Sequence, residues 1–217
     1  MKNEPFNTFV DPFYFRVYPN ANNQSNEIYC LIHGWSGDEN SMSIFHYSVI
    51  ENYFSIFPRG LFKIDNDKYG WVDINKNPKP DFKDYAEIAS KLKKSIFELL
   101  RISNISPQSI MINLIGFSQG AAISAVLSIL YPEYFNKVAL LAGFLPSDPP
   151  LVNEKPLSNL SFYIAHGTQD KLVDFQRALE LQAYLDDNGA QTRFCQEDLG
   201  HKIGANCLHN LKLFFQS

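Results

Sequence analysis

The sequence predicts one α/β domain, a mostly parallel sheet flanked by helices on both faces. Ile28–His33 is a continuous apolar run, the form of a strand buried on both sides, Ser109–Gly116 is a strand of the same buried kind, and Lys137–Gly143 and Leu160–Gly167 read as further strands. Between them lie segments with helical periodicity, and strands that alternate with helices imply parallel pairing under two layers of helix. The chain has 217 residues, 45% hydrophobic and 19% charged, and a chain of that size buries about 70% of its extended surface in one domain. Residues 1–217 contain no repeat, low-complexity tract or linker and read as a single unit.

The elements follow in order. Phe13–Tyr18 is rich in β-prone residues and follows Pro12, as an opening edge strand would. Ile28–His33 ends at Gly34 and reads as a central strand, with Tyr53–Phe57 a further short one. Over Asp81–Ile102 the residues Tyr85, Ile88, Ala89, Leu92, Ile96 and Leu99 recur at spacings of three and four, which defines one apolar helix face with Asp81 and Asp84 near its start. The basic run Lys91–Lys94 has Glu87 and Glu98 at i,i+4 offsets and reads as the solvated face of that helix. Ser109–Gly116 is a buried strand and Gln119–Tyr131, with its small residues, a packed helix. Lys137–Gly143 is a strand, Pro146–Pro156 a proline-rich loop and Leu160–Gly167 another strand. A helix over Asp174–Gly189 is closed by its glycine. A strand at Ala190–Gln196 and a helix at Ala205–Phe215 complete the chain.

The formal charge of −4 provides no positive field for a phosphate backbone or an anionic membrane, so nucleic acid is excluded as a partner. No apolar run approaches the roughly 18 residues of a membrane span, and Met1–Val10 has polar residues and Pro5 where a signal peptide would need a positive start and an apolar core. Cys30, Cys195 and Cys207 are an odd set without C-x-x-C spacing. They read as reduced thiols in a cytoplasmic protein, with Cys195 packed rather than reactive.

Chemistry concentrates around Gly116-Phe117-Ser118-Gln119-Gly120. The pattern G-x-S-x-G falls where a buried strand meets a helix, and there a sharp turn lifts the hydroxyl above the sheet. The helix that begins at Gln119 aims its N-terminal N–H groups at the place where an oxyanion would form. A serine that merely capped the helix would explain Ser118 but not both glycines. To act as a nucleophile the hydroxyl needs a base, and the base an acceptor behind it. On such a sheet the chain order is Ser, acid, His. Asp170 follows a strand end in Ala165-His166-Gly167-Thr168-Gln169-Asp170, and His201 lies in the loop between the last strand and the last helix. Asp148 in a proline-rich loop, Asp174 as a helix N-cap and Asp198 beside His201 are weaker candidates for the acid. His33 and His166 precede glycines at strand ends and read as structural, while His46 and His209 suit ordinary core or surface roles. The glycine-bearing loop His33–Asn40 offers the N–H of Trp35 as one oxyanion donor, and the N–H of Gln119 is the second.

The blocks "LIHGWSGDEN", "YGWVD", "LIGFSQGAA", "HGTQDKLV" and "LGHKIG" stand in the order and spacing of a known family. Over nearly its whole length the chain resembles the phospholipase/carboxylesterase family of α/β-hydrolases, which includes acyl-protein thioesterases and small bacterial carboxylesterases. The resemblance implies an α/β-hydrolase fold without a lid domain, Ser118 as nucleophile, Asp170 as acid, His201 as base, and Trp35 and Gln119 as oxyanion donors. It also implies that Trp71 lies near the substrate pocket, for which Phe117 is a second candidate. The loop His33-Gly34-Trp35-Ser36-Gly37-Asp38 is one residue longer than the H-G-x-G-D of many acyl-protein thioesterases, and Ala121 replaces a frequent glycine. Both features are closer to the bacterial carboxylesterase branch.

The expectation is a cytoplasmic serine esterase, active on carboxylic esters, with thioesters as the wider reading, through an acyl-enzyme. It needs no cofactor and no metal, and it acts on a small-molecule or acyl ester substrate as a monomer or homodimer. The alternatives are an inactive hydrolase fold that binds a ligand, or a lipase or peptidase of the same fold.

Overall fold

In the computed structural model, residues 4–19, 27–106, 110–151 and 156–217 are described. The expected strand start at Ser109, part of the proline-rich loop and Met1–Asn3 lie outside them. Among the described residues there are ten strands: β1 (Phe6–Val10), β2 (Phe13–Tyr18), β3 (Glu27–Ile32), β4 (Phe54–Pro58), β5 (Phe62–Asp65), β6 (Lys68–Gly70), β7 (Met111–Phe117), β8 (Phe135–Leu141), β9 (Ser161–Gly167) and β10 (Gln191–Glu197). Five α-helices accompany them: α1 (Ser43–Phe45), α2 (Phe82–Ile102), α3 (Gln119–Leu130), α4 (Phe175–Asp187) and α5 (Ala205–Gln216).

Eight strands form one sheet in the order β1-β2-β4-β3-β7-β8-β9-β10. Pairing is parallel from β4 to β10 and antiparallel where β1 and β2 join. The edge position expected of Phe13–Tyr18 therefore belongs to β1, and β2 lies inside it. β1 was missed because Phe6, Asn7 and Phe9 are exposed, which gives a half-solvated ribbon no clean apolar run to read.

Alternation along the strands feeds two cores, as two-sided burial requires. Cys30, Leu114, Val138 and Phe162 stand side by side in register and face the cluster that holds Leu92 and Ile96 of α2, Ile123 of α3 and Leu181 of α4. Leu31, Ile115 and Ala139 point the other way, toward Leu211 and Phe214 of α5 and Val49 and Ile50. Asp81 caps α2 by accepting from the N–H groups of Lys83 and Asp84, while the Asp84 carboxylate takes the N–H of Asp81. Of the two expected pairs beside the lysine run, Lys91 meets Glu87 at 2.6 Å, whereas Glu98 turns to Arg101.

The thiol expectation is overturned: Cys195 of β10 and Cys207 of α5 form a disulfide, and buried Cys30 is the free cysteine. A spacing of 12 residues across a strand-to-helix crossing looks like nothing in sequence, because the fold supplies the proximity. The cytoplasmic expectation loses the support it drew from unpaired thiols. Among the described residues no helix is long and apolar enough to cross a membrane.

Candidate active site

Because β3, β7, β9 and β10 run parallel, the loops after their C-terminal ends gather along one edge of the sheet, where α/β folds place ligands. The loop after β7 carries Ser118, that after β9 Asp170, that after β10 His201 and that after β3 Trp35.

Ser118 occupies the N-cap of α3 at φ 53° and ψ −118°, and its side chain makes no capping hydrogen bond. A non-glycine residue there stores about 1–3 kcal/mol of strain, and the hydroxyl is left free for another task. The flanking glycines are steric necessities. A Cβ on Gly116 would meet the Gly120 carbonyl and Ser124 Oγ, and a Cβ on Gly120 would strike the carbonyls of Ile32 and His33. The turn closes with Ser118 N–H donating to Leu141 O at 2.8 Å.

Asp170 has a fully buried carboxylate whose Oδ2 accepts from His201 Nδ1 at 2.6 Å. Its Oδ1 accepts from the backbone N–H groups of Leu172 (2.9 Å) and Val173 (3.0 Å). Burial opposes ionisation of this carboxyl, but the Val173 N–H, His201 and the Leu172 N–H together hold it below the usual carboxylate range. An ionised carboxylate accepts only, so Nδ1 of His201 carries the proton that is donated to it. The two loops are tied to each other by Thr168 N–H to Glu197 O and Gln169 N–H to Leu199 O, both 2.9 Å. Beyond His201, Glu197 accepts the Cys207 N–H at 2.9 Å.

Ser118, His201, Phe117, Trp35 and Gln119 all line one cavity of about 1000 Å³. Phe117 packs against the His201 imidazole, ring centroids 5.1 Å apart. Trp35 stacks on Phe62, and the first turn of α3 leaves the Gln119 N–H without an intrahelical acceptor. Trp71 does not join them. Its indole N–H donates to His33 O at 2.7 Å and its ring lies buried between His33 and Phe13, because a buried indole is anchored wherever an acceptor stands. Trp71 thus supports the floor beneath the cavity and is not among its lining residues. The Gln119 side chain links the two: Oε1 accepts Trp71 N–H at 2.7 Å and Nε2 donates to Val72 O at 3.0 Å.

The histidines read as structural are so placed. His33 Nδ1 bonds Gly34 O at 2.7 Å and Nε2 accepts Gly60 N–H at 3.0 Å. His166 Nε2 bonds Val173 O at 2.9 Å and approaches Asp170 Oδ2 at 3.3 Å. His166 therefore backs the Asp170 carboxylate, a contact that sequence reasoning missed. Tyr85, Phe144 and Arg177, also lining the cavity, were missed as well, since on a helix or loop they carry no pattern distinct from packing. Asp174 caps α4 and Asp198 bonds Thr168, which leaves Asp170 as the carboxylate on His201. Among the described residues no cluster suited to a metal ion is found.

Residues 16–217 match the phospholipase/carboxylesterase family model. Acyl-protein thioesterase 1 of Debaryomyces hansenii is 33% identical over 140 residues, 61% of this chain and 54% of the relative. A probable carboxylesterase, SOBER1-like, of Arabidopsis thaliana is 26% identical over 149 residues, 65% of this chain and 56% of the relative. The match thus spans little more than half the length of these two relatives. The Bacillus cereus carboxylesterase structure superposes with a TM-score of 0.83 at 18% identity, covering 95% of this chain and 94% of that one. A Mesorhizobium loti carboxylesterase gives 0.82 at 17% over 100% of both chains. With an eight-stranded α/β sheet and a strained serine between β7 and α3, the chain belongs to the phospholipase/carboxylesterase family of hydrolases, on the α/β-hydrolase fold.

Proposed function

We propose that the protein is a serine hydrolase that cleaves carboxylic esters and thioesters through an acyl-enzyme. The observation that carries this reading is the 2.6 Å bond between His201 and buried Asp170, with the imidazole opening on the cavity that holds the elbow serine. In the first half-reaction Nε2 of His201 takes the Ser118 proton as Oγ bonds to the substrate carbonyl carbon. The carbonyl oxygen becomes an oxyanion held by the N–H groups of Trp35 and Gln119, each such donor typically contributing about 2.7–4 kcal/mol. Collapse breaks the bond to the leaving alcohol or thiol, which receives the proton from His201. Water, deprotonated by the same nitrogen, then attacks the acyl-serine carbonyl; the bond from the acyl carbon to Oγ breaks, His201 returns the proton to Ser118, and the acid is released. Asp170 keeps His201 in the required tautomer and stabilises the imidazolium.

The test is active-site labelling with a fluorophosphonate together with hydrolysis of 4-nitrophenyl butyrate. One equivalent of label on wild type and none on Ser118→Ala, with turnover lower by several orders of magnitude in the variant, is expected. A folded Ser118→Ala protein that labels and turns over like wild type overturns the assignment.

A further inference from the structure

The cavity beside Ser118 has an asymmetric charge. Among the described residues that line it none is acidic, whereas two, Lys79 and Arg177, are cationic, on a chain whose formal charge is −4. Lys79 is exposed at the mouth, and Arg177, in the first turn of α4, is half-buried. The guanidinium of Arg177 lies over the Phe144 ring, 4.1 Å from its centroid, and one N–H donates to Leu145 O at 3.1 Å. Stacking and that single bond fix the plane of the fork and leave its other N–H groups without a carboxylate among the described residues. No ion pair forms between Arg177 and any described residue, and Glu180 on the next turn stays beyond pairing distance. By contrast Arg59 and Arg101 each hold a glutamate. Tyr85, which also lines the cavity, meets the same Phe144 ring edge-on at 6.0 Å.

A half-buried cation that no described carboxylate pairs is costly, and burial accordingly disfavours the charged form of Arg177. A rigid guanidinium fork matches a carboxylate in a bidentate fashion. We propose that Arg177 is a specificity-determining residue that receives a free carboxylate on the substrate, so that esters carrying a second, anionic group are preferred over neutral ones of equal length. The inference rests on the serine-hydrolase reading. Either part of the ester can carry the charge: the acyl side, as in a monoester of a dicarboxylic acid, or the leaving-group side.

Two matched pairs separate these sources. Mono(4-nitrophenyl) adipate against 4-nitrophenyl hexanoate probes the acyl side. 4-(Hexanoyloxy)benzoate against its methyl ester probes the leaving group. For the pair that matches the site, the anionic-to-neutral ratio of kcat/KM falls about 10-fold or more in Arg177→Met, chiefly through KM, and Arg177→Lys restores part of it. Independently of turnover, adipate titrated calorimetrically into Ser118→Ala protein binds, and the added Arg177→Met change removes that binding. Ratios equal in wild type and Arg177→Met for both pairs, or adipate binding indifferent to Arg177, overturn the proposal. Failure to hydrolyse even the neutral hexanoate would instead count against the serine-hydrolase reading, and the calorimetric arm would still decide the role of Arg177.

Discussion

Nδ1 of His201 donates to Oδ2 of Asp170 across 2.6 Å, and the same oxygen has Nε2 of His166 at 3.3 Å on its other side. The acceptor thus fixes a tautomer, and Asp170→Asn tests whether that matters. An amide at this position offers an N–H where only an acceptor is wanted. Turnover of 4-nitrophenyl butyrate is expected to fall by about four orders of magnitude, with the melting temperature changing little by comparison. Retention of more than a tenth of wild-type kcat would remove Asp170 from the reaction.

Gln119 contributes twice, through its backbone N–H at the cavity and its side chain to the Trp71 loop. Gln119→Ala keeps the first and deletes the second, leaving the buried Trp71 N–H without its acceptor. An orphaned buried donor costs about 1–3 kcal/mol, so chemical denaturation should show a loss in that range. An unchanged midpoint would mean the loop is held by other contacts.

Gly120 is fixed by its neighbours rather than by its dihedral angles. A methyl group there points at the Ile32 and His33 carbonyls, backbone atoms that move only if β3 moves. Gly120→Ala should cost at least about 1–3 kcal/mol, a fall of several degrees in Tm, and activity should drop because the shift displaces the Trp35 loop. A variant as stable and active as wild type would refute this close approach.

Burial pulls His33 and His46 down to about 4, whereas a free imidazole titrates near ~6.5. Between those values the unfolded chain binds protons that the native state refuses, so stability rises with pH in this window. It is complete above ~6.5 and is lost as pH falls toward 4, at up to about 1.4 kcal/mol per pH unit for each histidine. Urea midpoints measured from pH 7 to 4.5 should trace this decline. His46→Phe, which suits the cluster of Tyr18, Tyr47 and Phe57 around it, should remove one histidine's share of the slope. A slope identical to wild type would show that His46 is protonated in the native state.

The central strands and long helices could be read from sequence because each carries a complete signal within a few residues. α2 has its apolar stripe and its Asp81 cap, and β3, β7 and β9 are predominantly apolar and buried along almost their whole length. The loops that bear Ser118, Asp170 and His201 were legible because parallel strands place every such loop at one edge. What escaped was whatever depends on partners distant in the chain. The β5–β6 hairpin has exposed, charged residues such as Lys63 and Asp65, and is defined by pairing alone. Trp71 looked like a pocket wall until the His33 carbonyl beneath it was located. Arg177 resembles any solvated helix residue until Phe144, 33 positions earlier, is found under its guanidinium.

The disulfide from Cys195 to Cys207 makes the peptide that presents His201 a closed ring. A protease that severs one bond within it opens the backbone but frees neither end. The nicked molecule would migrate as one species on a non-reducing gel and as two fragments once a reductant is added. Freeing the segment that bears the imidazole from the body of the protein thus demands two separate chemical insults.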